Sequence, residues 1–150
     1  MSRVSHAVFG LFIAVCLAAC SSMQPQSSAD KGQASLYDRL GGTNAIRIVV
    51  DDFVGFVAAD NRINRYFAKT DVPKLKQHLV DQICQGSGGP CTYKGRDMVT
   101  THKGMNISDA DFGALVEDLI KALDKNKVPA KEKNELLGIL GPMKPAIVGQ

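Results

Sequence analysis

Two imidazoles stand out among the few groups of this chain that can do chemistry. His6 lies in an apolar leader, which leaves His78 and His102 as the histidines of the remaining sequence. His102 falls between Met98 and Met105, at i−4 and i+3, so a short helical stretch sets it on an apolar wall. A neutral imidazole there is a single strong nitrogen donor of the kind porphyrin iron takes. It is equally the ordinary partly buried histidine satisfied by a backbone carbonyl. The signatures of commoner chemistries are missing: no Gly-rich phosphate loop, no H-E-x-x-H, no C-x-x-C-H and no G-x-S-x-G. No carboxylate stands at catalytic spacing from either histidine.

The leader comes first in the chain and is set aside from the fold. Residues 4–19 read VSHAVFGLFIAVCLAA behind Arg3, the layout of a secretory signal and too short for a comfortable membrane span. The run closes on Leu17-Ala18-Ala19-Cys20, which resembles a bacterial lipobox, with Cys20 as the first mature residue carrying lipid on its thiol and amino group. Several acyl chains on one residue anchor stably. Ser21 and Ser22 imply sorting to the outer membrane, so the expectation is an exported protein, lipid-anchored on the periplasmic side. An ordinary cleaved signal with a chance cysteine is the alternative. Without Arg3 the mature chain has seventeen basic and fifteen acidic side chains, a balance that argues against a nucleic-acid partner. The expected organisation is a signal at 1–19, a polar Pro/Ser/Gln-rich tether at 20–34 and one domain at 35–150.

The domain reads as all-α, because apolar residues recur at helical spacing from Ser35 onward. Ser35 and Asp38 form a capping pair ahead of a short helix stopped by Gly41-Gly42. A second helix from about Thr43 carries Ile46, Val49, Val50, Phe53, Val54 and Val57 on one stripe. After a turn with Ile63, Tyr66 and Phe67, Asp71 caps a helix holding Leu75, His78, Leu79 and Ile83, which breaks at Gly86-Ser87-Gly88-Gly89-Pro90. The stretch from Met98 through His102 to Met105 follows. Ser108 and Asp111 then open a strongly periodic helix, and a last helix with Leu136 and Leu137 is expected to kink at Gly141-Pro142. Cys84 and Cys91 lie seven apart, as a disulfide in an oxidising compartment or as buried free thiols.

These pieces, taken together, resemble a group 1 truncated haemoglobin from Leu36 to about Val148. The matching residues are Leu36-Tyr37-Asp38 with Gly41-Gly42, Val49-Val50-Asp51-Asp52-Phe53, Asp60 with Tyr66-Phe67, Gly88-Gly89-Pro90 with Tyr93 and Gly95, and Met98…His102-Lys103-Gly104-Met105. The resemblance implies a two-over-two helical sandwich around one non-covalent haem b, with His102 as the proximal iron ligand. It places Phe53 and Phe67 in the haem pocket, a role sequence alone does not separate from ordinary core packing. Val54 stands where the family usually has a tyrosine, and Leu79 where it often has a glutamine, with Leu75 one turn earlier. The distal wall is thus expected to be apolar except for His78, which matches the position supplying a second iron ligand in some algal and cyanobacterial members. His78 either binds iron or points to solvent or a propionate. Met98 lies against His102, Tyr66 and Tyr93 approach the haem rim or pack as ordinary aromatics, and the lysines at 74, 76, 94 and 103 pair with propionates or are simply solvated.

The implied function is binding of a diatomic ligand, O2, NO or CO, at the cell envelope, with an unidentified reductase as partner. The family includes members credited with NO dioxygenation, a transfer weakened by the missing tyrosine and glutamine. Two other classes stay open: electron transfer or redox sensing by a bis-histidine haem, and a haem-free helical lipoprotein module.

Overall fold

Among the described residues, side chains written into the sequence cap four of the six α-helices. The computed structural model describes residues 34–150. The expected signal at 1–19, the lipidation site at Cys20 and all but the last residue of the tether lie outside the described residues.

In α1 (Leu36–Arg39), Ser35 Oγ accepts from the Asp38 N–H at 3.1 Å while the Asp38 carboxylate accepts from the Ser35 N–H at 3.2 Å. Ser108 and Asp111 repeat this box at the start of α5 (Asp109–Lys125), at 3.1 and 3.0 Å. Asp71 accepts from the Lys74 N–H at 3.1 Å to open α3 (Val72–Gly86), and Asp97 accepts from the Thr100 N–H at 2.8 Å to open α4 (Met98–His102). Between α1 and α2 (Gly42–Ala59) the chain reverses through Gly41 and Gly42 at φ +92° and +73°, and a Cβ on Gly41 would lie 2.9 Å from that of Ala45. The remaining helix, α6 (Ala130–Leu140), follows Pro129.

The architecture is all-helical, a two-over-two sandwich in which α2 packs against both α3 and α5 while α1 touches α2 and α6. The whole expected stripe of α2, from Ile46 to Val57, is buried, as the i, i+3, i+4 pattern requires. Val50, Ile63, Cys84, Leu123 and Leu136, from several elements, are the most enclosed apolar side chains of the core, and each large one so buried contributes about 1.5–3 kcal/mol.

One element departs from the sequence-based expectation. The helix carrying His102 stops at that residue instead of running to Met105. Lys103 leaves helical geometry at ψ 124° and Gly104 turns at φ +79°, so His102 ends a five-residue helix. The final α-helix ends at Leu140, at the expected Gly141-Pro142 break. It passes into a 3₁₀ segment, Gly141–Ala146, in which Pro142 and Pro145 have no N–H to continue the α-helical ladder.

Beyond α3, the buried Ser87 donates its hydroxyl to the Ile83 carbonyl at 2.6 Å, and Gly88 turns at φ +87°. Cys84 and Cys91 are joined by a disulfide with their Cα atoms 5.7 Å apart. The staple ties the loop after α3 back onto that helix.

Candidate functional site

A cavity of about 730 Å³ lies between α2, α3, α4 and α5, a size suited to a small-molecule cofactor. Helix α2 contributes Phe53, Val54 and Val57 to its wall, all apolar. These three continue the buried stripe of α2, so one helix face serves both core and cavity. The 3₁₀ segment Asn64–Phe67 adds Tyr66 and Phe67. From α3 come Leu75, His78, Leu79, Gln82 and Ile83, a run at spacing three, one, three and one that marks a single face of a helix. Met98, His102 and Met105 also line it, with Phe112, Leu115 and Val116 from α5. Tyr93 closes one side from the loop.

All nine residues expected at the pocket thus line this one cavity: Phe53, Val54, Phe67, Leu75, His78, Leu79, Tyr93, Met98 and His102. Sequence reasoning overlooked Gln82, whose Nε2 donates to Met143 Sδ at 3.1 Å, a weak acceptor. His78 is therefore not the one polar group on that side. The signal was present, since Gln82 is one helical turn after His78 and falls on its stripe. Of the four lysines considered for anion contacts, Lys74 and Lys94 line the cavity, together with Lys69 and Arg96. All four are solvent-exposed and mark the rim of the cavity. Lys76 instead pairs with Asp51 at 2.9 Å, and Lys103 lies outside the lining.

His102 has one nitrogen already committed. Its Nδ1 lies 2.7 Å from the Met98 carbonyl oxygen, which can only accept, so Nδ1 carries the proton and the lone pair of a neutral ring resides on Nε2. This is the second-layer contact that orients a ligating imidazole and sets its tautomer. The α4 geometry produces it directly, because residue 98 is four before residue 102 in a helix capped by Asp97. The carbonyl contact satisfies half of the ring and leaves the other half for chemistry.

His78 has the opposite problem. Its Nδ1 is buried with no hydrogen-bond partner among the described residues, a costly state for a polar nitrogen. The ring meets Tyr93 edge to face, with centroids 5.9 Å apart at 66°. Burial pushes the Tyr93 hydroxyl above its ordinary value, with Asp97 adding to the shift and Arg96 opposing it, so the phenol stays neutral and donates to the Arg96 carbonyl at 2.9 Å. On the other side, Tyr66 donates to Asp111 at 3.0 Å. The Asp111 carboxyl is held at about 2, chiefly by the hydrogen bonds from Ser108 and further by Tyr66 and Arg65. It is thus ionised throughout the physiological range and pins the segment bearing Phe67 to α5.

The residues suit a flat, largely apolar cofactor with anionic substituents. The cavity brings two imidazoles, His102 with its lone pair on Nε2 and His78 on the α3 face, and a porphyrin-held metal would accept such donors. Exposed cations stand at the rim, where carboxylate substituents would emerge.

A family model described as bacterial-like globin matches residues 35–148. A group 1 truncated haemoglobin of Mycolicibacterium paratuberculosis is 36% identical over 114 residues, covering 76% of this chain and 84% of that protein. That of Tetrahymena pyriformis is 32% identical over 116 residues, covering 77% of this chain and 96% of that one. Among solved structures, the Fe(III) truncated haemoglobin of Tetrahymena pyriformis matches with a TM-score of 0.75 at 32% identity, over 78% of this chain and 100% of that chain. The 2/2 haemoglobin of a Synechococcus species, in the cyanomet state and with covalently attached haem, matches with a TM-score of 0.73 at 33% identity and the same coverage.

Proposed function

The chain belongs to the group 1 truncated haemoglobins of the bacterial-like globin family, and on that premise we propose that it binds O2, NO or CO at a haem b held by His102, with His78 as a competing internal ligand. Haem b is the cofactor of this family, and when bound it would supply an iron that takes small gases. The single observation that carries the reading is the bond from His102 Nδ1 to the Met98 carbonyl on the wall of a large apolar cavity. It presents Nε2 as the free donor.

The chain's own residues do the rest. Phe53, Phe67 and Leu79 exclude water from the cavity, and Lys74 and Lys94 are offered to the propionates. Val54 cannot donate a hydrogen bond, so polarity near an incoming gas comes from His78 and Gln82 on α3. His78, on the α3 face of the cavity, would compete for the iron, and gas binding would then depend on release of its imidazole. Titrating the dithionite-reduced protein with CO tests the reading: we expect saturable one-to-one binding with a shifted Soret band, and a protein that binds haem but never CO would contradict it.

The envelope location belongs to the same proposal and rests on Leu17-Ala18-Ala19-Cys20. Cells fed radioactive palmitate should label the protein, whereas the Cys20→Ala variant should stay unlabelled. Equal labelling of both would remove the anchor.

A further inference from the structure

Among the described residues none hydrogen-bonds to the His78 Nδ1, although that nitrogen is buried. What confines the ring on the loop side is the edge-to-face contact with Tyr93. Tyr93 is in turn fixed at both ends. Its N–H donates to Gln85 Oε1 at 2.7 Å and its hydroxyl donates to the Arg96 carbonyl at 2.9 Å. Two residues earlier, Cys91 is covalently bound to Cys84 of α3, the same helix that carries His78. The loop is shaped around this ring: a Cβ on Gly95 would fall 2.2 Å from the Tyr93 hydroxyl oxygen, so Tyr93 takes up this position only because residue 95 lacks a side chain.

We infer that Tyr93, on a loop stapled to α3 by the Cys84–Cys91 disulfide, is a positioning residue that keeps the His78 imidazole inside the cavity and thereby sets how much of the iron is six-coordinate. The inference rests on the reading of His78 as an internal ligand. Without the aromatic edge, the ring gains conformers turned away from the cavity toward the space Tyr93 vacates, and ligation loses them as entropy. One aromatic edge contact carries about a threefold to tenfold change in such an equilibrium. The disulfide acts at one remove, by limiting where the Tyr93 backbone can go.

The test is the ratio of low-spin to high-spin ferric haem, read by absorption and electron paramagnetic resonance, in the unaltered protein and in Tyr93→Ala, Tyr93→Leu, Tyr93→Phe, Cys91→Ser and His78→Ala. We expect Tyr93→Ala and Tyr93→Leu to lower the ratio threefold to tenfold, Tyr93→Phe to keep it because the ring edge remains, and Cys91→Ser to lower it by a smaller factor. Equal ratios in the unaltered protein and in Tyr93→Leu, which keeps most of the bulk, would overturn the inference. So would a loss in Tyr93→Phe as large as in Tyr93→Ala, since the hydroxyl anchor rather than the ring would then matter. A high-spin spectrum in the unaltered protein that His78→Ala leaves unchanged would overturn the internal-ligand reading itself, and the inference with it.

Discussion

Replacing His102 by alanine should cost the protein its haem. The imidazole is the donor whose tautomer is set in advance by the Met98 carbonyl, and removing it leaves a cavity that retains apolar contacts but no proximal bond. Changes merely to the groups that orient a metal ligand lower metal affinity about 10–100-fold, so loss of the ligand itself should exceed on the order of a hundredfold. Competition for haem against a second apoprotein, followed at the Soret band, measures the difference. Far-ultraviolet circular dichroism should show the helices retained, because the enclosed core around Val50, Leu123 and Leu136 does not include His102. Equal haem retention in variant and parent would mean that another group holds the iron.

Replacing His78 by alanine should act in the opposite sense, by freeing a site. An internal ligand that occupies the iron for a fraction of the time reduces the apparent affinity for any external ligand by that fraction. If the imidazole is bound about nine-tenths of the time, its removal should raise the apparent CO association rate about tenfold, and more where occupancy is higher. Flash photolysis of the CO complex reads the rate directly. An unchanged rate, with an unchanged resting spectrum, would place His78 outside the coordination sphere.

How much of this was legible in the sequence differs from element to element. Helices α2 and α5 were readable because their apolar period persists over several turns, and the Ser108–Asp111 box gives α5 an unambiguous start. The glycine pairs announced their turns because positive φ leaves few other residue types acceptable there. Helix α4 was read too long: Met105 keeps the apolar spacing, but Gly104 ends the helix, and a five-residue element offers too few repeats for periodicity to decide. The pairing of Cys84 with Cys91 needed a Cα separation, which residue spacing does not supply across a glycine-rich loop. Gln82 was missed for a chemical reason. An amide on an amphipathic helix reads as surface, and only the fold shows that the α3 face carrying it turns toward a cavity instead of toward solvent.

The rim cations illustrate the same limit. Lys74, Lys76, Lys94 and Lys103 looked equivalent as residue types, yet Lys76 is engaged by Asp51 while Lys74 and Lys94 flank the opening. Their separation depends on which face of α3 each occupies and on how the loop after it is folded. Lys69 and Arg96, from the segments on either side, join them only in three dimensions.

The central claim is one bond between an imidazole nitrogen of His102 and iron. Resonance Raman spectroscopy of the ferrous protein tests it most directly, using His102→Gly reconstituted with haem in the presence of added imidazole. The iron–imidazole stretching band should be present in the parent, absent in the variant alone, and restored in the variant at a frequency that shifts when the added imidazole carries nitrogen-15. A variant that keeps the parental band without added imidazole, and shows no isotope shift with it, would contradict the account.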